Sequence, residues 1–337
     1  MNYVSIGDMA QSFQLRQHNV QLKTVLNRLS EEVVTGQAQD VAEKLGGDVT
    51  ILAGIDRSLN VIDAYEVVAS EAGVLTSTMQ ASLGLIQDLS GELGPLLLSA
   101  ATSASPILVQ TSTNDAREKF GALVSALNTN VAGRYIFGGA ETGAPPVMDS
   151  QQIIGILQPL VGAASTPQDA VQALVDWFDA PVGGGGFLDL AYSGSDQAIG
   201  PLRIAEGENL TVGANAADHR IRDAMKGFAL AALVHDGLFD GDPAARTSLT
   251  NSAGEFMLTA EGSLSALRAE IGTHEASISA AQARNQAQAS SLQIVRTEML
   301  AVDPYEAATA LEAVQTQLET LYTLTARLSG LSLVDYI

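Results

Sequence analysis

The sequence predicts a mainly α protein: an elongated rod of long N- and C-terminal helices, paired as a coiled coil or helical bundle, with a small mixed α+β insert at its tip. Three observations predict it. Apolar residues recur every three, four or seven positions at both ends of the 337-residue chain, which puts each set on one side of a helix. Glycine, proline and short alternating apolar runs concentrate between Gly138 and Asp242. Helical periodicity returns after Pro243 and continues almost to the end.

The first helix is expected over about Ser12 to Val34, with Leu15, Leu22, Val25, Leu26, Leu29 and Val33 on one face and Gly36 as its stop. Thr35 to Gly47 has no such stripe and glycines at both ends, the composition of a connector. A second helical stretch starts near Val49. Its stripe is Leu52, Ile55, Leu59 and Ile62, continued with a shift of phase by Leu75, Met79, Leu83, Ile86, Leu89 and Leu93. Gly94-Pro95 and Ser105-Pro106 are expected to weaken or kink it. A third helix is expected over Ser112 to Val131, opened by the capping residues Thr113, Asn114 and Asp115 and striped by Phe120, Leu123 and Leu127.

In the irregular middle, Phe187 to Tyr192 and Pro201 to Ala205 alternate as strands do, while Pro167 to Phe178 and His219 to Leu233 read as helices. After Pro243, a three-four alternation runs from Leu264, Leu267 and Ile271 through His274, Ile278, Ala281, Asn285 and Gln288 to Leu292, Val295 and Met299. Polar residues in such a seam lower stability but fix register. Asp303-Pro304 ends this helix and can cap the last one, about Tyr305 to Ser329. Three domains follow: a terminal coiled-coil domain of residues 1–47 with 300–337, a helical rod domain of 48–139 with 243–299, and a variable α+β insert domain of 140–242.

The two terminal stripes are the candidate functional residues: Leu15, Leu22, Leu26, Leu29 and Val33 at one end, and Leu311, Val314, Leu318, Leu321, Leu328 and Leu331 at the other. Each stripe needs something to bury it. The simplest partners are each other, and then the same ends of neighbouring molecules, as in a subunit that polymerises through its termini. Six or so buried aliphatics contribute about 1.5–3 kcal/mol each, while ordering about forty residues costs about 1–2 kcal/mol apiece. The ends are therefore expected to be loose in a free subunit and fixed on assembly.

Composition excludes much else. A formal net charge of −21 with 17 Lys+Arg leaves no basic face for nucleic acid and disfavours anionic membranes. The absence of cysteine removes thiolate chemistry, disulfides and Cys-ligated zinc. His18, His219, His235 and His274 are scattered, with no second ligand at metal spacing. The Gly183–Gly186 run lacks the Gly-Lys-Ser/Thr of a phosphate loop and reads as a flexible turn, and Trp177-Phe178 reads as core. The first ten residues lack the basic start and apolar core of a cleaved signal peptide. No catalytic, cofactor or metal site is expected.

The C-terminal stretches Asp303-Pro-Tyr-Glu-Ala-Ala-Thr-Ala-Leu311 and Gln315-Thr-Gln-Leu-Glu-Thr-Leu-Tyr322, with the ending Arg327-Leu-Ser-Gly-Leu-Ser-Leu-Val-Asp-Tyr-Ile337, resemble the end of the bacterial flagellin family. The Leu-Ser-Leu-x-x-Tyr close is more like the family's hook–filament junction members, the third hook-associated protein type, than ordinary flagellin. Asn128-Thr-Asn-Val-Ala-Gly-Arg-Tyr-Ile-Phe-Gly-Gly139 is similar to the family's turn where the variable insert begins, and Leu29 to Gly36 occupies the place of its Leu-Ser/Ala-x-Gly segment. The connector after Gly36 departs from the family's Asn/Arg-x-x-Asp-Asp-Pro/Ala run.

The resemblance implies a structural axial subunit of the bacterial flagellum, not an enzyme, joining hook to filament as an adaptor ring. Its implied partners are copies of itself in the ring, the neighbouring hook-associated protein and flagellin, and a flagellar export chaperone. Its implied location is the extracellular hook–filament junction, reached by type III export without a cleaved signal. Two other readings stay open: a flagellin that forms the filament itself, and a cytoplasmic coiled-coil scaffold.

Overall fold

The computed structural model of the chain describes residues 6–334, with side chains described for residues 10–327. In chain order the elements are α1 (Ile6–Thr35), α2 (Val41–Lys44), α3 (Thr50–Ser103), α4 (Pro106–Leu127), β1 (Asn130–Val131), β2 (Arg134–Tyr135), α5 (Ser150–Gly162), α6 (Pro167–Asp179), α7 (Phe187–Leu190), β3 (Ile199–Ala205), β4 (Glu208–Val212), α8 (His219–His235), α9 (Pro243–Leu300) and α10 (Pro304–Val334). The protein is mainly α. Among the described residues its strands form two antiparallel hairpins, β1–β2 with Val131 opposite Arg134 and β3–β4 with Leu202 opposite Leu210.

Carboxylates and hydroxyls set the helix starts. Asp48 accepts from the Thr50 N–H at 3.0 Å ahead of α3. Asp149 does the same for α5 at 2.8 Å, Thr166 for α6 at 3.2 Å and Asp218 for α8 at 2.9 Å. Asp242 accepts from Ala244 and Ala245, both at 3.0 Å, and Asp303 from Tyr305 at 2.8 Å. These oxygens satisfy N–H groups that the first helical turn leaves without partners. Pro106, Pro167, Pro243 and Pro304 each open a helix, where the missing N–H is harmless.

The same rule explains where the structure departs from the sequence expectation. Ser105-Pro106 does interrupt the helical run, between α3 and α4, but Pro106 also opens α4, which therefore begins six residues before Ser112. Thr113 is buried and its hydroxyl donates to the Val109 carbonyl at 2.7 Å, so it caps nothing. α4 stops at Leu127, and Val131 belongs to β1. α3 runs unbroken through Gly94-Pro95 to Ser103, with Pro95 inside it. An interior proline costs about 3 kcal/mol, and full burial of Leu93 and Leu97 on either side offsets that at about 1.5–3 kcal/mol each. Phe187 to Tyr192 is not a strand, because Phe187–Leu190 coils into α7 while Asp189 accepts the Gly183 and Gly185 N–H groups at 2.8 and 2.7 Å. The connector carries the short α2. α5 buries Ile153, Ile154, Leu157 and Val161 at helical spacing, with Pro159 interrupting the pattern in sequence.

The chain divides into two compact units, Met1–Ile62 with Gln286–Ile337, and Asp63–Asn285. The second holds one continuous core. Met79, Leu83, Ile86, Leu93 and Leu97 of α3 join Phe120, Leu123 and Leu127 of α4, Phe228 of α8 and Leu249, Met257, Leu264, Leu267 and Ile271 of α9. Residues 140–242 contribute α5, α6 and α8 to that same core. α8 packs against α4 and is buried from Ala224 to Val234. Even Lys226 is enclosed, its ammonium donating to Asp179 at 2.8 Å and Asp223 at 2.7 Å. Trp177, Phe178 and Phe187 form an aromatic knot, with Phe178 stacked on Phe187 at 5.6 Å between centroids. Gln80 and Gln87 tie α3 to α9: the Gln80 amide donates to the Arg268 carbonyl at 2.7 Å and the Gln87 amide to the Ser265 hydroxyl at 2.8 Å. Of the polar positions expected in the α9 seam, Asn285 is buried and donates to the Ile204 carbonyl at 2.9 Å, His274 is half-buried and Gln288 is exposed.

Glycines let α3, α8 and α9 approach closely. A Cβ on Gly254 would lie 2.8 Å from Leu98 and 3.0 Å from the Gly94 carbonyl oxygen. Gly254→Ala gains about 1 kcal/mol of helix propensity, but overpacking against backbone costs about 1–3 kcal/mol. The substitution is therefore expected to lower the thermal unfolding midpoint, and Gly254→Leu to lower it further, as followed by circular dichroism. An unchanged or raised midpoint for both would mean that the helices part freely there.

Candidate assembly surface

In the unit formed by the chain ends, α1 packs against α10. Gly36, at φ 70°, ends α1, a conformation that suits glycine. The chain then pairs briefly with the segment between α9 and α10: Ala38 N–H donates to the Leu300 carbonyl at 2.8 Å and Val302 N–H to the Gly36 carbonyl at 3.1 Å. Glu32 is buried and accepts from the Gln39 N–H at 3.0 Å. Arg28 holds Glu43 of α2 at 2.6 Å, and that carboxylate raises the guanidinium pKa above its already high ordinary value. Arg296 of α9 reaches Asp56 of α3 at 2.8 Å.

The stripe positions lie as follows. Leu29 and Leu318 are buried, with 8% and 7% of their surface exposed. Leu15, Leu22, Leu26 and Val33 of α1 are half-buried, as are Leu311, Val314 and Leu321 of α10. The side chains of Leu328 and Leu331, and the closing Asp335-Tyr-Ile337, lie outside the described residues. Lys23 of α1 places its ammonium 6.0 Å from the centre of the Tyr322 ring of α10. Hydrogen bonds from Asn19 and then Lys23 stabilise the phenolate, so the Tyr322 pKa lies below the ordinary tyrosine value. Pairing of the two helices thus leaves most of both stripes in partial contact with water.

A second set of apolar residues was not singled out by periodicity. Phe13, Val20 and Val34 of α1 are exposed, Val34 to 82%. They are spaced by seven and fourteen residues, so they share one face. Val20 lies two residues from Leu22, about 200° around the helix from the α10-facing stripe. Tyr305 and Leu324 of α10 and Ile51 and Val61 of α3 are also exposed. The heptad spacing of Phe13, Val20 and Val34 was the available signal. This surface can bind apolar partners. Among the described residues no three His, Asp or Glu side chains cluster as metal ligands. No helix among them is long and apolar enough to cross a membrane.

Residues 257–337 match the bacterial flagellin C-terminal helical region. Among solved structures, FlgL of Bacillus cereus aligns with 73% of this chain and 100% of its own, at 14% identity and a TM-score of 0.51. A protein from Vibrio parahaemolyticus described as a flagellar hook-associated protein aligns with 75% of this chain and 99% of its own, at 11% identity and a TM-score of 0.54. No curated protein sequence matches the chain. At these identities the likeness is one of fold. The chain therefore matches the bacterial flagellin C-terminal helical region over residues 257–337 and shares its fold with FlgL and with the protein described as hook-associated.

Proposed function

We propose that the chain is a structural, non-enzymatic axial subunit of the bacterial flagellum that joins hook to filament as an adaptor ring. The observation that carries this reading is the fold match over essentially the full length of FlgL and of the Vibrio hook-associated protein, joined to a flagellin-type C-terminal region. The assembly seam is Leu15, Leu22, Leu26, Leu29 and Val33 of α1 with Leu311, Val314, Leu318 and Leu321 of α10, continued by Leu328 and Leu331. The half-burial of most of its described positions in a single chain, beside the exposed face of Phe13, Val20 and Val34, supports a role in which neighbouring copies complete it. Partners in this reading are other copies, the adjacent hook-associated protein and flagellin, and an export chaperone. Export runs through the flagellar type III route, to the hook–filament junction outside the cell.

The flagellin-type C-terminal region also favours a second reading, in which the chain forms the filament itself. Immunogold labelling of sheared flagella separates them. Gold confined to the hook–filament boundary is the expected result. Gold along the whole filament would replace the adaptor by a flagellin, and unlabelled flagella would remove the axial role altogether.

A further inference from the structure

Within the unit Asp63–Asn285, three segments enclose a cleft of about 300 Å³: the outer face of α3, the β1–β2 hairpin and β3. Its walls are mainly apolar, with Val74 from α3, Val131 and Tyr135 from the hairpin, and Leu202 from β3. Val74 is half exposed, and Val67, two turns earlier on α3, is exposed as well. Local hydrogen bonds hold the hairpin wall of the cleft in shape. Ala132 and Gly133 make the tight turn of the hairpin at φ 51° and 83°, the mirror-image turn that suits paired strands. Asn130 closes that turn by accepting from Gly133 N–H at 2.9 Å. Ile136 N–H donates to the Thr129 carbonyl at 3.2 Å and Tyr135 N–H to the Thr142 carbonyl at 2.9 Å, which anchors the hairpin on both sides.

Charge says what the cleft suits. Arg134 stands on its rim, exposed. Every other Lys or Arg of this unit has an ion pair, a side-chain hydrogen bond or an aromatic ring: Arg203 lies over Tyr65, and Arg268 bonds Gln80 and Gln87. Within this unit, and among the described residues, Arg134 alone has none. The chain has 38 Asp+Glu against 17 Lys+Arg, so copies of it repel one another except where a free cation meets a carboxylate. On the α3 wall, Glu71 is exposed with no ion pair among the described residues. It disfavours a second carboxylate on that side and so fixes the direction of an occupant.

We infer that this cleft is a docking site for a second copy of the chain, which inserts an apolar side chain between Val74 and Leu202 and sets a neighbouring carboxylate against Arg134. The contact is heterologous, cleft to knob, so it repeats from copy to copy around a ring or along a strand. The inference rests on the proposed assembling role and adds a second contact, separate from the terminal helices.

The test uses the full chain in its own flagella. A photo-crosslinking benzoylphenylalanine replaces Val74, flagella are sheared and irradiated, and the products are mapped by mass spectrometry. The expected product is a covalent dimer of this chain, with the crosslink on an Asp- or Glu-bearing segment, and its yield falls several-fold when Arg134→Glu is added. A crosslink to a different protein would overturn the second copy as occupant. Flagella that contain the chain but give no intermolecular product at position 74 would overturn the cleft and leave the assembling role standing. Absence of the unsubstituted chain from flagella would remove both. Circular dichroism of each variant checks that its fold is kept, and Val74→Ala, expected to fold and to assemble less, serves where the bulky probe does not.

Discussion

Leu318→Asp is expected to leave cells without attached filaments and to release flagellin into the medium. Leu318 is the most buried described position of the α10 stripe, in the helix that packs on α1. An aspartate there leaves an unpaired carboxylate in an apolar interface, which costs several kcal/mol. The core of the unit Asp63–Asn285 contains neither helix, so the main thermal unfolding transition should stay where it is. Electron microscopy and an assay of secreted flagellin give the first result, and calorimetry the second. Filaments of normal number would show that position 318 does not belong to an assembly seam. A collapse of the main transition would show instead that the terminal pair supports the rest of the fold before assembly.

Replacing residues 143–240 with a short Gly/Ser linker is expected to destroy the fold of that unit rather than trim a separable lobe. The replacement removes α5, α6 and α8, and with α8 the partner of α4. It uncovers Phe120, Leu123 and Leu127, all essentially fully buried, and deletes Phe178, Phe187, Phe228, Leu230 and Leu233 from the same core. Eight such side chains at about 1.5–3 kcal/mol each contribute as much as, or more than, the about 5–15 kcal/mol that holds a typical domain together. The expected product is aggregated or lacks a cooperative melting transition. A soluble, cooperatively melting protein would show that α3, α4 and α9 form a sufficient core by themselves.

How much was legible depended on how each element reaches its neighbours. The terminal helices and α9 advertise themselves, because a long helix buried on one side must repeat its apolar residues every three or four positions. Leu29, Leu318, Leu264 and Ile271 follow that rule. The strand of Pro201 to Ala205 was legible through its alternation, within β3. The misplaced elements are those whose local signal competes with packing. Pro95 signals a break, but Leu93 and Leu97 are buried deeply enough to carry α3 through it. Phe187-Leu-Asp-Leu alternates as a strand would, but Asp189 is engaged by Gly183 and Gly185 N–H groups and the segment coils. The contiguity of residues 140–242 with the helical core was hidden for a different reason: which face of α8 meets α4 is decided by residues more than a hundred positions apart. In the candidate surface, the stripes were legible, whereas the cleft beside Arg134 was not. Its walls come from three segments that no periodicity links.

The glycine run after Val182 has a consequence for how order is maintained in this protein. Four consecutive glycines have more freedom to lose than any other tetrapeptide, and none of Gly183, Gly184 or Gly185 touches the core. What restrains them is the Gly184 N–H bond to the Pro181 carbonyl at 2.9 Å and one exposed carboxylate that accepts two backbone N–H groups, and the carboxylate's bonds hold the Asp189 pKa below its ordinary value. A folded-state pKa depressed in this way means that the restraint is complete above the ordinary aspartate range and is lost as pH falls through the depressed value. Near neutrality a charge at the surface therefore helps to hold the most mobile composition in the chain, and its entropy, not its packing, is the quantity that acid would release.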